Sequence, residues 1–205
     1  MTTRPHVRLV PPPGFAGLPI EESEEDNARN LRALAARTAV PAGVTPQTMT
    51  EHLTLLAAVM ATNGVLLYGR FAVSTTDGGR PATASLALTM RALAAEASDA
   101  MVRNRGAAAA ELLRLYRKRV PHAVARVVDL PIGPAMVATT AGEYRLPAGV
   151  RPELKAEFQI VAPDGRHLVV LVVITADEAA WPAVAAAASH VAATLRFEPA
   201  EEEQP

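Results

Sequence analysis

Residues Leu168-Val169-Val170-Leu171-Val172-Val173-Ile174 are apolar without a break and too few to cross a bilayer as a helix. A strand that is apolar on both sides has both sides covered, so it lies inside a sheet with structure above and below. The segment before it alternates instead, with Leu154, Ala156, Phe158 and Ile160 against Lys155, Glu157 and Gln159. That is the period of a strand with one polar face. Asp164-Gly165-Arg166 joins the two, and a flanked Asp-Gly predicts a tight two-residue hairpin turn.

The same signal occurs earlier, at Asp77-Gly78-Gly79-Arg80, between Val65–Val73 and Pro81–Met90. In the outgoing arm Ala84, Leu86, Leu88 and Met90 alternate with Thr83, Ser85, Ala87 and Thr89, as in an antiparallel strand with a single buried face. Two shorter strands, 123–128 and 135–139, are expected on either side of Leu130-Pro131-Ile132-Gly133-Pro134. Val7-Arg-Leu-Val10 reads as a short edge strand, and Pro11-Pro12-Pro13-Gly14 as a rigid connector rather than a polyproline ligand.

Helical periodicity fills the remainder. Thr45 and Pro46 open a helix bearing Met49, Leu53, Leu56 and Met60 at core spacing, closed by Asn63-Gly64. A second helical stretch covers 94–119, interrupted near Asn104-Arg105-Gly106 and stopped by Pro121. The last runs over 178–195 with Trp181, Val184, Ala188, Val191 and Leu195 on one stripe. An acidic run, Glu21 to Asp26, precedes a helical pattern through Leu31 and Leu34, where acids offset the positive end of a helix.

These patterns predict one α+β domain: a mostly antiparallel sheet of six to seven strands flanked by helices on both faces, an α/β/α sandwich. Within residues 1–205 the expected parts are an extended N-terminal segment (1–20), a two-helix part (22–62), a sheet-and-helix core (64–197) and an acidic tail (198–205).

Chemistry is sparse by comparison. Cysteine is absent, which removes disulfides, thiolate catalysis and Cys-ligated zinc. The five histidines stand singly, no nucleophile elbow or phosphate loop occurs, and carboxylates away from the acidic runs are isolated. No catalytic residue, metal ligand or cofactor is therefore nominated. A net charge of −1 gives no field for nucleic acid or an anionic membrane. Met1 to Pro13 lacks the apolar stretch of a signal peptide, so the expected location is cytoplasmic. One local asymmetry stands out: Arg114, Arg117, Lys118 and Arg119 lie close together, with Glu111 the nearby acid. They are the candidate binding residues, although cations also suit the negative end of a helix.

Val124 to Val137 and the closing Ala192-Ala193-Thr194-Leu195-Arg196-Phe197, together with the element order, resemble actinobacterial members of the PsbP-like α/β/α sandwich superfamily. The resemblance spans roughly residues 60–197. It implies a binding scaffold, since that superfamily includes an extrinsic subunit of photosystem II and a Ran-binding nuclear import factor. No motif here aligns with a family binding site, so no site residue is carried over. The expected function is a non-catalytic protein-interaction or scaffold module, of the accessory or chaperone-like kind, with a protein partner. An enzyme with a dispersed site and a carrier of a small apolar ligand are the alternatives.

Overall fold

The computed structural model describes residues 5–20, 25, 28–32, 45–74, 81–93, 104–146 and 149–198. Seven strands form one wholly antiparallel sheet in the order β2-β3-β4-β8-β7-β6-β5. They are β2 (Ala16–Pro19), β3 (Val65–Val73), β4 (Ala82–Ala92), β5 (Val124–Leu130), β6 (Gly133–Leu146), β7 (Gly149–Val161) and β8 (His167–Thr175). Among the described residues three helices accompany them, α1 (Pro46–Thr62), α2 (Arg105–Arg119) and α3 (Trp181–Thr194), and residues 28–32 are helical as well. The architecture is the predicted α+β sheet flanked by helices.

The apolar run at 168–174 occupies the middle of the sheet. Val169, Leu171 and Val173 are fully buried against α3, in a cluster with Val184, Ala188, Val191 and Leu195. Cross-strand registers place Leu67, Leu88, Leu171, Phe158 and Val137 in one row beneath that helix. On the reverse face Leu168 and Val170 are buried and pack with Leu112, Tyr116 and Ala125, whereas Val172 and Ile174 are half-buried. Both faces are covered, the α3 face more completely.

Several boundaries differ from the sequence expectation. Val7–Val10 is not an edge of the main sheet: β1 (His6–Arg8) pairs with β9 (Arg196–Glu198) in a separate ribbon. The true edge is β2, inside the segment read only as extended. Between β5 and β6 just Pro131 and Ile132 remain outside the ladder, and β6 continues to Leu146 to pair with β7 along its length. At the Asp-Gly hairpin the turn is wider than two residues. Gly165 N donates to Ala162 O at 2.9 Å, Gly165 has φ +63°, and Ala162 N donates to His167 O. The carboxylate of Asp164 accepts the amides of Arg166 and His167, which holds the extra residues in place. The first Asp-Gly, residues 77–80, lies outside the described residues, but its flanking strands pair as expected.

Helix α1 starts at the predicted cap, where Thr45 Oγ1 accepts the Thr48 amide at 3.1 Å. Its packing departs from the expected stripe. Ala57 is buried with Ile20 and Leu31, Leu53 and Met60 are half-buried, and Leu56 is exposed. A small side chain at the contact brings the helix close and leaves larger neighbours outside. Among the described residues no helix is long and apolar enough to cross a membrane.

Candidate functional site: the α2 layer

Helix α2 begins at Asn104, whose side chain accepts the Ala107 amide at 3.0 Å, and ends at Val120 ahead of Pro121. Ala108, Ala109, Leu112 and Tyr116 form its buried stripe over β5, β6 and β7. That stripe lies over the face of β7 that its alternation marks as polar. Glu157 is only 7% exposed and Gln159 5%. The alternation marks the polar face, and one of the helices expected over both faces of the sheet covers it.

Under the helix the polar groups answer one another. Glu157 accepts from the Tyr116 hydroxyl at 3.3 Å, from Gln159 Nε2 at 2.5 Å and from Lys155 Nζ at 3.1 Å. A buried carboxylate is tolerable only with donors of this kind. Burial raises the Tyr116 pKa and the Glu157 charge adds to the effect. Burial alone would lower the Lys155 pKa, but hydrogen bonding and attraction to Glu157 outweigh it and the net shift is upward. Both groups therefore stay protonated around neutrality, where neither supplies a base. The signal for this cluster lies in α2 itself: an aromatic residue with a hydroxyl on a buried stripe needs a partner on the strand beneath.

The nominated cations sit at the C-terminal end of α2 with separate contacts. Arg114 forms a two-pronged pair with Glu111, at 2.8 and 2.6 Å. That pairing lowers the Glu111 pKa and raises that of Arg114, on an exposed surface. Arg117 Nη2 donates to the Ala125 carbonyl at 2.7 Å, Arg119 lies 5.4 Å over the Tyr116 ring, and Lys118 is exposed. The four do not converge on a common point. Leu115 is 47% exposed in the same turn, and on neighbouring β5 Val124 is 74% and Val127 37% exposed.

At the other end of α2, Arg105 turns inward. Its Nη2 donates to the carbonyls of Ile132 at 2.8 Å and Val161 at 3.1 Å, while Nε is buried with no partner among the described residues. Burial lowers its pKa. Of the histidines, His6, His52, His122 and His190 are exposed, and His167 Nδ1 lies 2.6 Å from Asp164 Oδ2 in the hairpin. Among the described residues no three His, Asp or Glu side chains gather as metal ligands would.

Fold and site together define an α+β protein with a helix-covered antiparallel sheet, a closed polar cluster and a basic, partly apolar margin. No model of a known protein family matches the chain, and no curated protein matches it. Among solved structures, the crystal structure of LpqN, involved in cell envelope biogenesis of Mycobacterium tuberculosis, is similar at 14% identity with a TM-score of 0.41. The alignment covers 96% of this chain and 85% of LpqN, and a likeness of that degree carries no functional argument.

Proposed function

We propose that the protein is a non-catalytic protein-interaction module whose contact surface is the basic end of α2 with the adjoining strand β5. The observation that carries this reading is the asymmetry of the α2 layer. The polar groups around Glu157 are satisfied among themselves, while the margin carries exposed Lys118 and Arg119 on α2, exposed Val127 on the α2 face of β5, and exposed Val124 and Arg126 on the other face of that edge strand. Exposed apolar side chains rimmed by cations are the composition of a contact surface, in which Arg anchors and apolar area act together. The resemblance to the PsbP-like superfamily, with binding scaffolds among its members, supports the same reading.

Lys118→Glu with Arg119→Glu tests it, since neither residue donates to the main chain as Arg117 does. Affinity purification from the native host should recover a specific protein with the wild type and lose it with the variant, the circular dichroism spectrum being unchanged. Turnover in a broad hydrolase and transferase screen that Tyr116→Phe or Lys155→Met abolishes would replace this reading with an enzymatic one.

A further inference from the structure

Among the described residues strand β5 ends the seven-stranded sheet and pairs along Val124 to Leu130 with β6 alone. The Ala125 carbonyl is taken by the Arg117 side chain, so it points away from β6. Alternation along an antiparallel ladder then turns the amides and carbonyls of Val127 and Asp129 outward too. An open edge of this kind is a template for another strand, and proteins commonly blunt it with proline, bulges or short length. The opposite edge is blunted in that way: β2 has four residues and ends at Pro19. By contrast β5 has seven residues, an unbroken register and no proline.

We propose that the outer edge of β5 receives an extended segment of a partner protein, with acidic and apolar side chains in alternation, as an added antiparallel strand. Main-chain pairing would supply affinity and alternate side chains specificity. Charge selects the acidic partner, because Arg126 is exposed on the strand, Arg117 reaches its Ala125 carbonyl and Asp129 is its one acid. Val127, on the α2 face, supplies the apolar contact, and Arg126, on the other face, meets the acids. In the free protein the Arg117 guanidinium occupies the acceptor that an incoming amide would take. This inference rests on the interaction-module reading and narrows it to one mode of binding.

A random-peptide phage library selected on the full chain tests it. Enriched sequences should alternate acidic and apolar residues, and their binding should protect the amides of β5 from hydrogen exchange. Val127→Pro removes an outward N–H and leaves the ladder to β6 intact, as proline on a sheet edge can. It should weaken the selected peptides by at least about tenfold, a loss of ~1.4 kcal/mol. Arg126→Glu should do the same, and decides the matter if the proline variant does not fold. Failure to enrich any peptide, enrichment without acids, or equal binding to both variants would overturn the proposal. So would self-association that Val127→Pro abolishes, which would make a second copy the occupant. Peptides that lose binding with Lys118→Glu and Arg119→Glu but leave the β5 amides exchanging freely would remove the edge and leave the α2 contact surface of the interaction-module reading standing.

Discussion

The Arg105 guanidinium rests on the main chain of Gly133, so closely that a β-carbon there would lie 2.7 Å from Cζ, Nη1 and Nη2 alike. Gly133 has φ +127°, a conformation that side-chain-bearing residues rarely adopt. The contact fixes the first turn of α2 to the β5–β6 hairpin and to the end of β7. Gly133→Ala should therefore destabilise the fold by about 2–4 kcal/mol, from backbone strain and displacement of Arg105. Urea denaturation measures this, and a loss under about 0.5 kcal/mol, the level of an ordinary surface substitution, would contradict the contact.

The cluster under α2 predicts a graded response. Tyr116→Phe removes one donor of three and should cost about 1 kcal/mol. Glu157→Leu strips Tyr116, Gln159 and Lys155 of their common acceptor and should cost about 2–3 kcal/mol, moderated because Lys155 still reaches solvent. The reverse order in chemical denaturation would show that the carboxylate is not the centre of the network.

On the alkaline side both shifted groups act in one direction. The folded state raises the pKa of Tyr116 and of Lys155, so each contributes stability that is complete below its ordinary pKa and is lost as pH climbs through the raised value. Thermal stability should accordingly fall above pH ~10, and less steeply in a Tyr116→Phe, Lys155→Met variant. Tyr116 should ionise late in ultraviolet titration of the folded protein.

Centrality in the sheet gives a fourth expectation. Leu171 is fully buried between Leu88 and Phe158 in the row beneath α3, and Leu171→Ala should cost about 2–5 kcal/mol. Val172, its half-buried neighbour on the other face, should cost clearly less on the same truncation, as calorimetry of the two variants would show.

Strands were readable where hydrophobic period and turn chemistry agreed. Leu168–Ile174 announced its central place, and Ala84 to Met90 announced a single buried face. Strand β2 carried no such sign: Ala-Gly-Leu-Pro has no alternation, and its pairing rests on Gly17 lying opposite Gly69. A β-carbon at Gly69 would fall 2.5 Å from the Gly17 Cα, a closeness that one strand's pattern does not encode. The polar cluster stayed hidden for a different reason. Lys155, Glu157 and Gln159 look like a solvated face until α2 is laid over them, and that placement is tertiary. The cations at 114–119 were legible as a group; the contacts of Arg114 with Glu111 and of Arg119 with Tyr116 follow from three-residue spacing on the helix, whereas that of Arg117 with Ala125 depends on where β5 runs.

The β1–β9 ribbon joins segments at opposite ends of the described chain. His6 faces Glu198 in its register, Arg8 pairs with Glu198 at 2.7 Å, and the Val10 amide donates to Thr194 Oγ1 across 184 residues. Closing so long a loop brings an entropic cost that only an assembled core can offset. The clasp is accordingly expected to zip late in folding and to open before the sheet does. An exchange experiment on the native protein would see it as a latch of low local stability, releasing both ends while the seven-stranded body stays shut.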